Sequence, residues 1–487
     1  YVLTNFPYLN NGPKDLIGNS GKGKEYAYRS YFGRVMYSYA DRYLFQANIR
    51  HDGSSRFAKK HRWGTFPSFS AGWVLSEENF MKNLNWEWLS FLKIRATWGA
   101  LGNERIGDFP YMSTIAFGNT IFYQNNGIYF DQTASQQKYA IENVTWEKTE
   151  STDIGLDISF LNNRLRVNGD YYWKNTKDML LAMAIPDFLG FSDPDVNAGK
   201  MSTKGYELNV SWNDHIGDFS YGIAINFSDF TSKMGDLQGT QFLGDKVKME
   251  GSEFNEWYGY VSDGLFLTEE DLKNSPKIND KNTQLGDIKY KDISGPDGVP
   301  DGKISPEYDR VLLGSSLPHF LYGGNINLGY KNFDLSLAFQ GVGKQNARLA
   351  REMVEPFRNN YGNFPAIIDG NYWSPYNTDE QNAVAKYPRL THVNKSSNYA
   401  MSDYWLFNGG YFRLKNITLG YTFPKEWMNA IGIKGARIYA SASDLFCLSK
   451  YPKGWDPEMG VSEYPITTSI LSVSYTHLRA HETGAYL

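Results

Sequence analysis

The feature that most constrains this chain is an alternation of apolar and polar residues in short runs, separated by connections of unequal length. From residue 154 to 160, Ile, Leu, Ile and Phe alternate with Gly, Asp and Ser. Period-two alternation is the primary signal of strands with one apolar face. Comparable runs cover 28–39, 43–50, 66–73, 92–100, 165–173, 206–212, 219–227, 320–329, 333–339, 411–422, 436–443 and 465–472. The sequence predicts an all-β, antiparallel protein with roughly 14 strands.

The connections between these runs alternate between short and long. Short ones are predicted at 161–163, 213–218 and 330–332, and long ones at 51–64, 101–149, 174–203, 229–319 and 341–410. Short turns on one side and long loops on the other are typical of transmembrane β-barrels. A soluble sandwich would show more even spacing. The pattern therefore favours a membrane barrel with long extracellular loops.

One hairpin, from Tyr43 to Trp73, shows the choice most clearly. Its two alternating runs are joined by a polar link from His51 to Thr65, whereas most hairpins close within two to five residues. The link suits either a functional loop on a soluble sheet or an extracellular loop between two outer-membrane strands. Within it, we expect Asp52 to Phe57 to form a folded outer loop or a turn packed inside the mouth.

Composition is compatible with a barrel and argues against nucleic-acid-binding and disulfide-rich classes. Aromatic residues make up 16% of the chain and recur at strand ends, as in the aromatic girdles of barrels at membrane interfaces. Soluble carbohydrate-binding proteins are also rich in Tyr and Trp, so composition alone leaves both open. The net charge of −4 shows no excess of basic residues of the kind that binds nucleic acid. The single cysteine, Cys447, excludes an intrachain disulfide.

The stretch at 48–81 reads NIRHDGSSRFAKKHRWGTFPSFSAGWVLSEENFM. Further distinctive stretches lie at 92–111, 146–180, 204–212, 286–304, 318–341, 408–424 and 441–460. In the same order, these stretches resemble those of the SusC/RagA family of TonB-dependent outer-membrane transporters. The resemblance implies a 22-stranded barrel filled by an N-terminal plug. It also implies an outer-membrane location, a SusD-like lid lipoprotein, energy from TonB, and a glycan or peptide as substrate.

The chain departs from this family at both ends. It begins YVLTNF, and we expect this sequence to contain no signal peptide, TonB box or plug. We therefore expect residues 1–472 to be a partial barrel, and no residue here is assigned to TonB coupling. Because the first strand would lack its natural neighbour, we expect an open, curved sheet or a form between that and a closed barrel. Residues 473–487, VSYTHLRAHETGAYL, resemble a translated sequencing adapter, and we expect this tail to be non-native rather than a genuine divergent terminus.

One acidic, glycine-rich segment is a candidate metal site. Asp292, Ser294, Asp297 and Asp301 supply closely spaced oxygen ligands, which suit Ca²⁺. Gly-Pro and Val-Pro pairs interrupt the ligand spacing, so the segment is not an EF-hand. Asp and Gly also simply form turns. The sequence thus predicts a calcium loop, with a plain turn as the alternative.

Catalytic motifs are absent from the sequence. It contains no G-x-S-x-G, H-E-x-x-H or P-loop pattern, and the histidines outside the tail show no ligand spacing. Two aromatic clusters could bind sugar or peptide, or could pack the loops against each other or against the lid: Tyr372, Trp373 and Tyr376, and Tyr404, Trp405 and Phe407. We predict a transport barrel rather than an enzyme. The alternatives are a soluble, secreted all-β carbohydrate-active enzyme or adhesin, and a porin without energy coupling.

Overall fold

The computed structural model describes residues 21, 23–124, 127–136, 139–183, 185–237, 239–279, 281–358, 363–460 and 463–478. The strands, in chain order, are β1 (Tyr28–Tyr39), β2 (Tyr43–Ser54), β3 (Trp63–Val74), β4 (Leu89–Asn103), β5 (Ile115–Gln124), β6 (Gly127–Gln136), β7 (Glu147–Phe160), β8 (Leu165–Lys177), β9 (Leu180–Ala182), β10 (Asp195–Asn197), β11 (Met201–Ile216), β12 (Phe219–Met234), β13 (Gln241–Phe242), β14 (Lys246–Lys248), β15 (Glu256–Gly259), β16 (Ser262–Leu265), β17 (Ile288–Tyr290), β18 (Val311–Gly314), β19 (His319–Tyr330), β20 (Phe333–Lys344), β21 (Asn346–Arg348), β22 (Leu406–Asn408), β23 (Tyr411–Thr422), β24 (Ile433–Ser449) and β25 (Ser469–Leu478).

The helices are short and lie in the connections. They are α1 (Asn79–Asn83), α2 (Glu269–Asn274), α3 (Arg351–Val354), α4 (Asp379–Ala383), α5 (Lys395–Asn398) and α6 (Lys425–Ala430), with 3-10 turns at Leu75–Glu77, Asp187–Leu189, Ala366–Ile368 and Asp403–Trp405. Across the described ranges, no helix combines the length and apolar character needed to cross a membrane.

One 13-stranded sheet forms the body of the molecule. Its order is β1-β2-β3-β4-β7-β8-β11-β12-β19-β20-β23-β24-β25, and the paired neighbours are antiparallel. This confirms the predicted all-β, antiparallel class, with 13 strands in place of roughly 14. Within the described part of the chain β1 and β25 are not paired with each other, so the sheet is open, as expected for a partial barrel.

The two faces of this sheet differ in chemistry. On β11, Leu208 is exposed on one face while its neighbour Asn209 lies on the other, directly opposite Asn168 of β8 and Asn226 of β12. Ile225 and Ile223 continue the apolar face on β12, where both are exposed. An exposed apolar face of this extent is what lipid requires, and the polar face then forms the inner wall.

Aromatic rings mark both ends of the apolar face. At the short-turn end, Tyr43 stacks on Trp73 with ring centroids 6.4 Å apart. At the other end, Tyr31 stacks on Trp63 at 6.0 Å. Cross-strand aromatic pairs stabilise neighbouring strands, and their amphipathic rings suit the headgroup region. On β1, β2 and β3, aromatic residues therefore lie at both ends of the apolar face.

Connections on the two sides of the sheet differ in length, as predicted. Tight links join β1 to β2, β7 to β8, β11 to β12 and β19 to β20. The β7–β8 turn places Asn162 and Asn163 at φ of 58° and 64°, a conformation that Asn tolerates better than most residues. The other side carries long loops, here called the mouth loops: 104–146, 178–200, 235–318, 345–410 and 450–468.

The predicted link from His51 to Thr65 is wrong in its bounds. β2 runs to Ser54 and β3 starts at Trp63, so the loop is only 55–62. The two strands continue into the predicted link, where Asp52 pairs in register with Gly64. The Arg50 guanidinium lies 2.9 Å from the buried carboxylate of Asp52. Phe57 is fully buried beside Phe66, Val144 and Trp146, which matches a turn packed inside the mouth.

The last strand differs from its neighbours in phase. β25 pairs Ser474 with Ile438 and Ser472 with Ala440. Ile438 is exposed on the apolar face, so both serines of β25 lie on that face, where the neighbouring strand carries apolar residues. This inverted pattern fits the proposal of a non-native tail, which stays a prediction. The rest of that tail, 479–487, lies outside the described residues.

Candidate functional site

The inner wall carries rows of polar side chains that cross several strands at one height. Asp157, Asn168, Asn209 and Asn226 stand directly opposite one another on β7, β8, β11 and β12. The Asn168 amide donates to the Asp157 carboxylate at 2.8 Å. Such a row offers both donors and acceptors to whatever occupies the interior.

An ion cluster lies one row above. The Arg95 guanidinium is 2.7 Å from Asp170, 3.4 Å from Asp157 and 3.6 Å from Asp153. Gly155 lies beneath it, and a Cβ there would be 2.5 Å from both Arg95 Cζ and an Asp170 oxygen. A glycine interrupting a strand is the sequence signal of such a close approach, and the sequence reasoning missed it.

The two longest mouth loops, 235–318 and 345–410, share one hydrophobic core. Its buried members are Tyr260, Leu265, Ile288, Tyr290 and Ile304 from the first loop, and Met353, Val354, Ile368, Tyr399 and Trp405 from the second. Gly259 shows how closely the loops approach, because a Cβ there would lie 2.2 Å from the Met401 carbonyl oxygen. The two loops therefore behave as one folded body.

A buried polar network lies within this body. The Asp287 carboxylate is fully buried and accepts hydrogen bonds from Arg389 at 2.7 and 3.2 Å, from Asn394 at 2.9 Å and from Asn398 at 2.8 Å. Each buried oxygen is thus satisfied, which a buried charge requires.

Tyr290 ties the same loops together. Its hydroxyl donates to the Ser397 carbonyl at 2.7 Å. Burial raises the pKa of Tyr290, so the hydroxyl stays protonated and remains a donor at physiological pH.

The last mouth loop in the chain, 450–468, is held to the wall by Arg413. This guanidinium is almost fully buried and lies 2.5 Å from Asp456, 2.7 Å from Glu458 and 3.6 Å from Asp444. Lys415 also reaches Asp444 and Glu458, each at 3.0 Å. Strand pairing skips Lys415 at a β-bulge, and this irregularity allows two cations of one strand to meet the same carboxylates.

The predicted aromatic clusters divide between packing and exposure. Trp405 is buried in the shared core and its indole nitrogen donates to the Asn398 carbonyl at 2.9 Å. Trp373 covers Gly286, whose φ of 83° and lack of a Cβ permit the contact. Tyr376 is 97% exposed. Tyr404 stacks edge-on against Trp405, and Phe407 packs against Tyr451.

The predicted calcium segment is an ordered turn. Asp292 accepts a hydrogen bond from the Gly302 amide at 2.5 Å, and Asp301 accepts one from the Lys303 amide at 3.0 Å. The Ser294 backbone N–H donates a hydrogen bond to the Asp309 carboxylate. Asp297 is exposed at the tip of the turn. Among the residues that the structure describes, one buried oxygen of Asp292 has no hydrogen-bond partner. In the described ranges, no group of three or more His, Cys, Asp or Glu is arranged for a metal, so calcium binding stays a prediction.

Asp309, which is not one of the four predicted calcium ligands, organises this segment. It is fully buried and accepts hydrogen bonds from the amides of Ile293, Ser294 and Ser305, at 2.8, 3.2 and 2.7 Å. Its role depends on backbone amides up to 16 residues away, which no local motif reveals.

Comparisons with known proteins agree with this architecture. Residues 2–445 match the family described as TonB dependent receptor-like, beta-barrel. The TonB-dependent receptor SusC of Bacteroides thetaiotaomicron is 33% identical over 445 residues, which cover 88% of this chain and 41% of the relative. The TonB-dependent receptor P3 of Formosa agariphila is 31% identical over 453 residues, covering 88% and 42%.

A solved structure shares the fold. The RagAB peptide transporter aligns with a TM-score of 0.75 at 23% identity, covering 94% of this chain and 49% of that one. The chain thus spans less than half the length of the curated relatives that it matches.

Proposed function

This chain belongs to the TonB-dependent receptor β-barrel family, and from that premise we propose that it forms the wall and mouth of a nutrient importer. It is an outer-membrane protein, as the TonB-dependent receptors that it resembles are. The observation that carries the proposal is the sheet itself, apolar outside and polar inside, with folded loops gathered on one side.

The proposed cargo is a glycan or a peptide, and the proposed partners are a SusD-like lid lipoprotein and TonB. TonB would act through the N-terminal part of the full-length protein, and no residue described here is assigned to it. The folded body of loops 235–318 and 345–410 supplies a preformed surface on which a lid and a cargo could dock. The curated relatives are TonB-dependent receptors, and one solved structure that shares the fold is a peptide transporter. We propose passage without covalent chemistry for this chain.

Uptake by the full-length protein tests this proposal. The full-length gene would be expressed in a Bacteroidota host, and uptake of labelled oligosaccharides and oligopeptides would be measured with and without an uncoupler of the proton gradient. We expect uptake that the uncoupler abolishes, and a protein that needs detergent for extraction and migrates differently after heating.

Two results would contradict the proposal. Uptake that persists with the uncoupler would indicate a porin instead. A freely soluble protein in the periplasm or medium would indicate the secreted alternative, which family membership does not support.

A further inference from the structure

Two lysines in loop 235–318 lie beside aromatic rings and have no acidic partner among the described residues. The Lys246 ammonium is 4.5 Å from the centroid of the Trp257 ring, and that of Lys248 is 5.1 Å from the Phe254 centroid. Val247 between them is fully buried, so strand alternation directs both lysines to the opposite face of β14. Residues two apart in a strand are roughly 7 Å apart, and the lysines therefore form a pair.

Neither lysine is neutralised within the part of the chain that the structure describes. Among the described residues, no carboxylate oxygen lies within 4.0 Å of either ammonium. The neighbouring acids have other partners: Asp245 pairs with Arg348, Glu256 accepts from the Glu253 amide at 2.7 Å, and Glu253 lies 3.5 Å from His319. Glu250 is exposed and forms no described ion pair.

Burial makes this lack of a partner costly. Both lysines are half-buried, and desolvation lowers the pKa of Lys246 and of Lys248, with no acidic group to oppose it. A ring face offsets part of the cost by the cation–π interaction. An anion from outside would restore the missing counter-charge, as buried charges normally require.

The surrounding sheet selects the kind of anion. β14 is paired on one side with β13 and on the other with β15. It therefore offers no free edge onto which an extended peptide could add a strand. Recognition falls to the side chains, which are two cations next to the flat apolar surfaces of Trp257 and Phe254. Rings beside cations suit a carbohydrate that carries acidic groups.

We propose that Lys246 and Lys248, with Trp257 and Phe254, form a subsite for an anionic sugar unit, a uronate or a sulfate ester, of the imported substrate. This inference rests on the proposed import function and names the substrate class within it. The ammonium groups bind the carboxylate or sulfate, and the rings contact the sugar.

The test uses the full-length protein in detergent and calorimetric titration with four probes: an oligogalacturonate, a sulfated oligosaccharide, a neutral malto-oligosaccharide and an oligoglutamate. We expect at least one anionic sugar to bind, and the double variant Lys246→Gln/Lys248→Gln to weaken it roughly tenfold or more, the effect of losing hydrogen bonds to a charged group. Lys246→Arg/Lys248→Arg should retain most of the affinity. Lys291→Gln, an exposed lysine of the same loop, is the matched control and should bind like the parent.

Several outcomes would overturn the subsite. These are equal affinity of the parent and the Lys→Gln double variant for the anionic sugars, binding of none of them, or lysine-dependent binding of oligoglutamate alone. Heat-modifiable migration of each variant shows whether it has folded. Failure of the subsite is distinguishable from failure of import, because a protein that imports neutral glycans or peptides but ignores the lysines keeps the proposed function.

Discussion

Arg389 and Asp287 lie 102 residues apart in the sequence and meet through two charge-assisted hydrogen bonds in the interior of the mouth. The pair joins loop 345–410 to loop 235–318, and both partners are largely or fully buried. A bidentate pair of this kind fixes relative orientation as well as distance. It links the two loops directly through a buried charge pair.

Removing the cation should loosen the mouth and leave the wall intact. We expect Arg389→Leu to destabilise the joined loops by roughly 3–5 kcal/mol, because it leaves a buried carboxylate without its counter-charge. Limited proteolysis of the full-length protein should then cut within 235–318 and 345–410 at a much higher rate. Migration of the unheated barrel on a gel should not change.

The control is Arg358→Leu, which breaks the half-exposed pair with Glu352. Pairs of that kind contribute about 0–1 kcal/mol, so its cleavage pattern should match that of the parent. Equal protease resistance of Arg389→Leu and the parent would show that the pair does not hold the loops.

Arg413 should control access to the single cysteine of this chain. Cys447 is half-buried and stands directly opposite Arg413 in the β23–β24 register. In Arg413→Ala the carboxylates of Asp456 and Glu458 lose their shared cation and repel each other, which should release loop 450–468. We expect Cys447 to react with an impermeant maleimide roughly tenfold faster, corresponding to about 1.4 kcal/mol.

This labelling would be done on the full-length protein with any other cysteines replaced by serine. Arg437→Ala is the control, because its pair with Asp334 lies near the short-turn end of the sheet, far from loop 450–468. An unchanged rate in Arg413→Ala would mean that the cluster does not anchor the loop.

Neighbouring positions on β11 separate the lipid face from the inner face. Leu208→Arg should lower the free energy of unfolding by roughly 2–4 kcal/mol, the cost of a cation at the middle of the bilayer. Asn209→Arg, one residue away on the polar face, should have a much smaller effect. The measurement is urea unfolding of the protein in lipid vesicles. If both variants unfolded alike, the assignment of faces would be wrong.

Calcium binding to the 292–301 segment should depend on its exposed acids. Asp297→Ala and Asp301→Ala each remove an oxygen ligand and should weaken Ca²⁺ binding to the full-length protein roughly tenfold, whereas Glu250→Ala elsewhere in the loop should not. The buried, unpaired oxygen of Asp292 is the local observation in favour of a cation. Unchanged affinity in both Asp variants would leave the plain turn as the explanation.

The wall could be predicted from the sequence because its signal is local. The alternation of Leu156 with Asp157, or of Leu208 with Asn209, is visible in any short window. The pairing of consecutive strands then follows from tight turns such as 161–164. Only the strand ends were misplaced, because residues such as Asp52 are polar and yet continue a strand under cover of a mouth loop.

The mouth could not be predicted in the same way. Asp287 finds its partners in Arg389 and Asn398, which are separated from it by more than 100 residues and follow no period. The bulge at Lys415 leaves no trace in the sequence, since it depends on where the neighbouring strands pair. Lys246 and Lys248 look like ordinary surface charges until the rings beneath them are seen.

The unbroken pairing of β11 with β12 has an evolutionary consequence. All 16 residues of β11 are in register with β12. Because side chains alternate between the two faces, deleting one residue from either strand would turn the apolar residues beyond the deletion towards the interior. Insertions and deletions in the wall are therefore tolerable only in pairs. The mouth loops are not restricted in this way. Single-residue insertions and deletions there can change the binding surface during evolution while the membrane-spanning strands keep their register.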